Sequence, residues 1–299
     1  MSLVGGDLMP SELKSETNES LLSPELQAQR DQLHAIISSL GSTAVAYSGG
    51  TDSSYLLAAC VDELGADRVL ALTADSPLTP RSELSEAQLL AKELAVRHIV
   101  LTSDDLDNPG IVANPPDRCY HCKFARFDAL QRIVRAEGIQ SLIHGENADD
   151  VTDYRPGSRA AAELGVRAPL REAGLSKAAV RALSRIRGLP NWNRPANACL
   201  ASRFPYGTHL TAEGLARVEA AEETLRDLWQ LRQLRVRDHF PVARIEAPQE
   251  DIVRLALPEL RPPAVEALRR LGYRYITLDL TGYRMGSLND ELESEATPQ

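Results

Sequence analysis

Cysteine, aromatic residues and long apolar runs are all scarce in this sequence. Four cysteines in 299 residues are too few for a secreted disulfide scaffold. No apolar run approaches the roughly 18 to 20 residues that a membrane span needs, so we expect no membrane partner. The first 20 residues are polar and acidic, without the basic start or apolar stretch of a signal peptide. These absences predict a cytoplasmic protein.

Charge is distributed unevenly along the chain. The formal net charge is −9, yet residues 151–240 carry 15 basic and 9 acidic side chains. A basic middle segment in an acidic chain indicates an anionic ligand that is held locally and argues against a broad nucleic-acid surface. Solvated arginines on helix faces explain the same charge equally well. We therefore expect a small-molecule partner and no nucleic acid.

Short apolar runs alternate with helical patterns in the first half of the chain. Four of these runs are typical of buried strands: residues 44–47, 69–73, 98–101 and 141–144. Ser23 and Thr79 are predicted to cap helices that begin at Pro24 and Pro80. The alternation predicts an α/β fold, with a parallel sheet covered by helices on both faces. Such sheets bind ligands beyond the carboxyl ends of their strands, where loops enter helices.

The strand–helix alternation stops after Tyr154, and a second pattern follows. A helix near residues 212–228 precedes strands near 234–237, 243–246 and 275–280, which indicates a smaller α+β unit. The chain is therefore predicted to contain a first domain at residues 23–188 and a second domain at residues 189–289. A mobile tail is predicted on each side, at residues 1–22 and 290–299.

The first predicted strand runs directly into residues 48–53, which read Ser-Gly-Gly-Thr-Asp-Ser, and then into a helix. The two glycines allow positive φ and let backbone N–H groups approach a ligand. The positive end of the following helix favours an anion. Ser48 and Ser53 add hydroxyl donors, and Asp52 is suited to hold Mg²⁺ or to orient a donor. A plain turn is the alternative, but this combination favours a phosphate-binding loop.

This loop matches the motif of the ATP pyrophosphatase (PP-loop) superfamily, whose members transfer AMP to a substrate oxygen that a nucleophile then displaces. The resemblance implies a Rossmann-like domain with ATP and Mg²⁺ as cofactors. It implies that the pyrophosphate half of ATP is held by Ser48, Gly49, Gly50, Asp52 and Ser53. Thr73 and Ala74, after the second strand, would lie near the adenosine. Asp149 and Asp150, after the fourth strand, either bind metal or cap the next helix.

The cysteines form a second group of candidate residues. Cys119 and Cys122 form a CxxC motif at the start of a predicted helix, which puts both thiols on one face, one turn apart. A helix N-terminus lowers the pKa of a thiol. Cys199 lies in an irregular stretch flanked by arginines, whereas Cys60 is expected to be a core residue. From the spacing alone, a redox pair, a zinc half-site and an iron–sulfur ligand pair all remain open.

Longer motifs around these residues resemble the LarE family. They are residues 117–123, 147–157, 198–207, 235–237, 243–246 and 278–287, and they cover nearly the whole folded chain in order. LarE proteins are ATP-dependent sulfur transferases in the synthesis of the nickel-pincer nucleotide cofactor. They adenylylate a carboxylate of pyridinium-3,5-biscarboxylic acid mononucleotide and convert it to a thiocarboxylate. The sequence is most similar to members whose three cysteines bind a [4Fe-4S] cluster that supplies sulfide.

The resemblance implies roles for particular residues of this chain. Cys199 would attack the acyl-adenylate and be sacrificed, as in single-cysteine members, or would bind the cluster together with Cys119 and Cys122. Asp52 and Glu246 are the further catalytic candidates. The substrate carries a phosphate and carboxylates, which arginine guanidinium groups and hydroxyl donors bind well. We expect Ser202, Arg203, Arg235 and Arg237 to bind it. The alternative is that these arginines are solvated surface charges. Family members tend to self-associate, so a homo-oligomer is expected.

Other functions are compatible with the same loop. A PP-loop tRNA thiolase can use the same cysteines and cluster, but the chain has no strongly basic domain to bind RNA. An amide ligase of the NAD-synthetase type has no use for three cysteines. A non-enzymatic nucleotide-binding regulator would bind ATP without releasing AMP. We rank these three below the sulfur transferase, in that order.

Overall fold

The computed structural model describes residues 22–151, 156–195, 197–284 and 286–289. Its first part is built on a four-stranded sheet in the order β3-β2-β1-β4, with every neighbouring pair parallel. The strands are β1 (Thr43–Ala46), β2 (Val69–Asp75), β3 (Arg97–Thr102) and β4 (Ser141–His144). They coincide with the four apolar runs, so the predicted strands and the α/β fold class are confirmed.

Helices connect these strands and extend beyond them: α1 (Pro24–Ser38), α2 (Thr51–Leu64), α3 (Arg81–Glu93), α4 (Pro109–Val112), α5 (Arg118–Ala136), α6 (Pro156–Glu163), α7 (Pro169–Glu172) and α8 (Lys177–Ile186). Ser23 caps α1 as predicted, because its side chain accepts from the N–H of Leu26. The predicted Thr79 cap is wrong. Pro80 is extended, with ψ of 137°, so α3 begins one residue later, at Arg81, without a side-chain cap.

The two faces of the sheet bury separate apolar cores, because alternate residues of a strand point to opposite faces. On β1, Val45 belongs to the core under α1, α2 and α8, and Ala44 to the core under α5. Cys60 is fully buried in the first of these cores, as predicted, and burial raises the pKa of its thiol. Leu22 also packs there, and the end of the predicted tail at residue 22 stays a prediction. Residues 1–21 and 290–299 lie outside the described residues.

A three-stranded sheet forms the second part of the fold, in the order β5-β6-β7. Strands β5 (Arg235–His239) and β6 (Val242–Glu246) are antiparallel, and β7 (Tyr275–Leu278) is parallel to β6. Its helices are α9 (Ala212–Trp229), α10 (Ile252–Leu255) and α11 (Arg261–Arg270). This sheet has its own apolar core, which confirms the smaller α+β unit. None of the helices in the described ranges has the length and apolar character needed to cross a membrane.

Residues 189–195 and 197–203, here called the strap, join the two parts and pack on the first. Leu189 belongs to the core under α1, α2 and α8. The N–H of Leu200 donates to the carbonyl of Leu78 at 2.8 Å. A further small core combines Leu78 with Leu200 and Phe204. The predicted boundary at residue 188 therefore falls where the chain still contacts the first sheet, and its position stays a prediction.

Candidate active site

The loop between β1 and α2 has paired carbonyl groups and open N–H groups. Gly49 has φ of 77°, and a Cβ there would lie 2.9 Å from the Cβ of Ala87, so only glycine fits. The Gly50 carbonyl accepts from the N–H of Ser54 at 2.9 Å and from Ser53 Oγ at 3.1 Å. Among the described residues, nothing accepts from the N–H groups of Gly49, Thr51, Asp52 and Ser53.

These open N–H groups form an anion site. They lie at the N-terminus of α2, where the helix dipole adds positive potential. No side chain caps this helix, so neither a hydroxyl nor a carboxylate of the described chain occupies the position. Ser48 Oγ lies beside it, 3.1 Å from Ser53 Oγ, and can donate to the same ligand, whereas the single hydroxyl proton of Ser53 goes to the Gly50 carbonyl. The loop is therefore suited to bind phosphate oxygens.

Asp52 places a carboxylate oxygen beside this anion site. Asn147 Nδ2 donates to Asp52 Oδ2 at 2.9 Å, whereas Oδ1 is buried and has no hydrogen-bond partner in the described chain. Burial raises the pKa of Asp52, and the Asn147 hydrogen bond opposes that rise. A buried, unpaired carboxylate oxygen is unfavourable unless a ligand completes it. A hard cation such as Mg²⁺ bound to ATP fits this requirement.

Two residues after β4 shape the loop, although the sequence motif assigned them no role. A Cβ on Gly145 would lie 2.8 Å from the backbone nitrogen of Ser53, so β4 ends directly against the first turn of α2. Asn147 orients Asp52 as described above. Both contacts follow from β4 pairing next to β1, a neighbour relation that the linear order of the strands does not reveal.

The side chain of Thr73 makes hydrogen bonds within the first sheet. Its Oγ1 donates to the carbonyl of Tyr47 at 2.7 Å and lies 2.8 Å from Nε2 of His98. This hydroxyl is therefore already paired, at the point where β1 leads into the phosphate loop. Ala74 is half-buried near the carboxyl end of β2. A place for both residues near adenosine stays a prediction.

Asp149 and Asp150 take part in local structure. Asp149 Oδ2 accepts from the N–H of Lys177 at 2.8 Å, at the start of α8. Asp150 Oδ2 accepts from the N–H of Asn147 at 3.1 Å. Asp149 thus contacts the first turn of α8, which is not the helix that follows it in sequence, so the choice between metal binding and capping stays a prediction. Within the described ranges no group of three His, Cys, Asp or Glu side chains is arranged to hold a metal ion. The adjacent motif residues 152–155 lie outside the described residues.

Two cysteine sulfurs meet at one buried arginine. Arg118 Nη2 lies 3.8 Å from Cys199 Sγ and 4.0 Å from Cys119 Sγ. The two sulfur atoms are therefore at most 7.8 Å apart. Arg118 Nη1 donates to the side chain of Asn114 and, at 3.2 Å, to the carbonyl of Ala201. The guanidinium therefore joins the start of α5 to the strap.

Cys122 and Cys199 both pack against the small apolar core that contains Leu78, Leu200 and Phe204. Burial raises the pKa of Cys122 to about 12, and the charge of Arg126 opposes this rise. Arg126 is anchored by buried Asp105, to which its Nη2 donates at 2.7 Å. Arg118 and Arg126 thus place two positive charges beside the thiols, although burial outweighs them at Cys122.

Arg203 is paired inside the protein. Its guanidinium is fully buried and donates to both carboxylate oxygens of Glu222, at 2.8 and 2.9 Å. Its Nη1 also donates to the carbonyls of Ala198 and Cys199, at 2.5 and 3.0 Å. The structure therefore gives Arg203 a structural role, in which it holds the cysteine loop. The sequence did not indicate this role, because Glu222 lies on α9, 19 residues away.

Arg237 and Glu246 form an ion pair across β5 and β6, with Nη2 donating to Oε2 at 2.7 Å. The second oxygen of Glu246 lies 3.3 Å from Arg244. Arg237 Nη1 donates at 2.6 Å to the carbonyl of Ser202, whose Oγ donates at 2.8 Å to the carbonyl of Cys199. The structure therefore brings Ser202, Arg237 and Glu246 together next to the cysteine loop.

Arg235 lies on the same face of β5 as Arg237. Burial, followed by the neighbouring positive charge of Arg203, lowers the pKa of Arg235 to about 10. An anionic ligand would offset this repulsion. All three predicted substrate arginines are buried, with at most 6% of the residue exposed, so the alternative of solvated surface charges does not apply to them.

A parallel α/β sheet, open N–H groups in its first loop and a buried aspartate beside them define a PP-loop, ATP-utilising protein. The NAD synthase family model matches residues 25–108, which include this loop. The chain is 40% identical over 267 residues to the pyridinium-3,5-bisthiocarboxylic acid mononucleotide synthase of Lactiplantibacillus plantarum, covering 89% of this chain and 96% of that protein. The chain belongs to this family, the LarE family, as the motifs indicated.

Two further relatives have no described activity. A protein of Synechocystis sp. is 42% identical, over 88% of this chain and 98% of its own length. A protein of Methanocaldococcus jannaschii is 28% identical, over 80% of this chain and 90% of its own length. The similarity to all three relatives thus extends through both parts of the fold.

Proposed function

We propose that this protein is an ATP-dependent sulfur transferase that acts on pyridinium-3,5-biscarboxylic acid mononucleotide in nickel-pincer cofactor synthesis. The observation that carries the proposal is the set of N–H groups of Gly49, Thr51, Asp52 and Ser53, for which the described residues provide no acceptor. The name of the L. plantarum relative supports the substrate class. In this proposal residues 23–188 bind ATP, and residues 189–289 bind the substrate and transfer sulfur.

The first step activates a carboxylate of the substrate. A carboxylate is a poor electrophile because its oxygen is a poor leaving group, and joining it to AMP with release of pyrophosphate removes this difficulty. Residues 48–53 stabilise the charge that develops on the departing pyrophosphate, because their donors are already oriented. Asp52 Oδ1 would hold Mg²⁺, which neutralises phosphate charge when bound. Ser202, Arg235 and Arg237 orient the anionic substrate next to Cys199.

The second step brings sulfur to the acyl-adenylate. In the sacrificial route the Cys199 thiolate attacks the carbonyl carbon, and AMP leaves with the electron pair of the C–O bond. Glu246 is our candidate base for the elimination that follows. Loss of the Cα proton of Cys199 and cleavage of its C–S bond leave the thiocarboxylate on the product and dehydroalanine at position 199.

In the cluster route, which we propose for this chain, Cys119, Cys122 and Cys199 hold a [4Fe-4S] cluster. When bound, the cluster supplies the sulfide, so no cysteine is consumed. Three thiols from two segments lie beside Arg118 and Arg126, whose positive charges would offset those of thiolates, and this supports the route even though the described side chains do not form a ready metal site. Analysis of iron and acid-labile sulfide in anaerobically purified protein tests this route, and the absence of both would exclude it.

Exchange of labelled pyrophosphate into ATP tests the proposed function. We expect exchange that requires Mg²⁺ and is stimulated by the pyridinium mononucleotide. Stimulation by tRNA instead would identify a tRNA thiolase. Intact-mass spectrometry after turnover then separates the sulfur routes. A loss equal to hydrogen sulfide at Cys199 indicates sacrifice, and an unchanged mass with thiolated product indicates another sulfur donor. Sedimentation of the same preparation tests the expected homo-oligomer.

A further inference from the structure

Asn191, near the start of the strap, contacts the phosphate loop from a distant part of the sequence. Its Nδ2 donates to the carbonyl of Gly49, 142 residues away, at 2.9 Å, and to Ser54 Oγ at 2.8 Å. In return, Thr51 Oγ1 donates to the carbonyl of Asn191 at 2.9 Å. A backbone carbonyl can only accept, so the amide nitrogen must be the atom that faces Gly49. The contact therefore fixes the orientation of the asparagine side chain.

The Gly49 carbonyl matters because it belongs to the same peptide plane as the Gly50 N–H. In a trans peptide these two groups point in opposite directions, so fixing the carbonyl also fixes the N–H. The flanking glycines leave this plane little steric resistance to rotation. Rotation would turn a carbonyl oxygen toward a bound anion and would remove a donor from it. The loop's own helix holds the Gly50 carbonyl, whereas the Gly49 carbonyl is held by Asn191. The Gly50 N–H on the other side of this peptide has only a long contact, 3.4 Å, with Ser48 Oγ, so Asn191 makes the shorter hydrogen bond to the peptide.

We propose that Asn191 is a positioning residue of the phosphate loop, which keeps the Gly49–Gly50 peptide in the orientation that binds the pyrophosphate part of MgATP. The inference rests on the proposed function, because it assumes that the loop binds this part of the nucleotide. The strap, which also carries Cys199, would then support the phosphate loop directly.

Binding of MgATP, magnesium pyrophosphate and AMP to Asn191→Ala and Asn191→Asp, measured by calorimetry, tests this role. Losing the donor to a buried carbonyl should weaken binding of MgATP and magnesium pyrophosphate about tenfold or more. The effect should be larger in Asn191→Asp, because an acceptor then faces the carbonyl. AMP lacks the phosphates that the loop holds, so its affinity should stay unchanged. Damage to the fold would weaken all three ligands together.

Asn193→Asp is the matched control, since it adds the same charge at an exposed position of the strap. Its affinities should equal those of the wild type. Unchanged pyrophosphate affinity in both Asn191 variants would overturn the inference, and so would equal weakening of AMP and pyrophosphate. Asn191→Asp preserves side-chain shape, so it serves if Asn191→Ala does not fold. Failure of the wild-type protein to bind either MgATP or magnesium pyrophosphate would instead refute the proposed function.

Discussion

Replacement of Arg203 by methionine tests whether this arginine supports the fold or binds the substrate. Both members of the Arg203–Glu222 pair are fully buried. Breaking a buried ion pair by removing one partner costs about 3–5 kcal/mol of stability. Glu222 keeps a contact with Arg226 at 2.7 Å and with the N–H of Val236 at 3.1 Å. We therefore expect the free energy of unfolding to fall by about 3 kcal/mol, at the lower end of that range.

The loss of stability in Arg203→Met should depend on pH. Burial alone would raise the pKa of Glu222, but the charge and hydrogen bonds of Arg203 outweigh burial and lower it. This pair therefore stabilises the wild type above the unfolded carboxyl pKa of roughly 4.3, and the stabilisation is lost as pH falls through the lower folded pKa. Without Arg203, burial raises the pKa of Glu222, which then protonates on mild acidification. The difference between the two proteins should be largest near pH 7 and should shrink below about pH 5.

Urea denaturation followed by circular dichroism measures this difference. Arg232→Met is the control, because Arg232 is exposed, and it should change stability by less than about 0.5 kcal/mol. A double variant, Arg203→Met with Glu222→Met, removes the unpaired charge and should recover most of the loss. If Arg203→Met keeps wild-type stability but loses affinity for the pyridinium mononucleotide, Arg203 is a substrate ligand and the structural interpretation is wrong.

Other variants separate the steps of the proposed reaction. Asp52→Asn should reduce pyrophosphate exchange about 100-fold or more without unfolding the protein, because it removes the carboxylate charge that would hold Mg²⁺ against the phosphates. Exchange at the wild-type rate would exclude Asp52 as a magnesium ligand. Cys199→Ala should still release pyrophosphate but form no thiolated product by mass spectrometry. Thiolated product from this variant would exclude Cys199 as a catalytic residue, and an activity without thiolation that survives would favour an amide ligase. Arg237→Ala should weaken binding of the pyridinium mononucleotide about tenfold or more while calorimetry shows unchanged MgATP affinity. Unchanged substrate affinity would contradict that role.

Local patterns in the sequence predicted the first sheet well. Strand β4 begins and ends at the predicted residues, because a short apolar run between polar turns has few alternatives. Ser23 was recognised as a cap because its partner is the N–H three residues on. The prediction that Thr79 caps α3 was wrong, although it was also based on a local pattern. A proline can be the first residue of a helix or lie just before it, and here the extended Pro80 lies just before α3.

The parts of the site that could not be predicted depend on contacts between distant segments. Arg203 has the flanking sequence of a substrate ligand, and only the position of Glu222 on α9 shows that it is used internally. Arg118 directly precedes the CxxC motif, but its contact with Cys199 requires the strap to return to the start of α5. Asn191 stands in an irregular stretch with no periodic pattern. Single-sequence patterns report neighbours along the chain, and these residues act on neighbours in space.

The contact between Asn191 and the Gly49 carbonyl also determines where the chain can be divided. A fragment that stops at residue 188 retains all four parallel strands and the glycine pair, but it loses the amide that secures the glycine carbonyl. A chimera that takes residues up to 188 from another ATP-using enzyme would contain a phosphate loop without the asparagine that holds its glycine carbonyl. The exchange point for such chimeras therefore lies beyond residue 203, so that Asn191 and the parallel sheet come from the same protein.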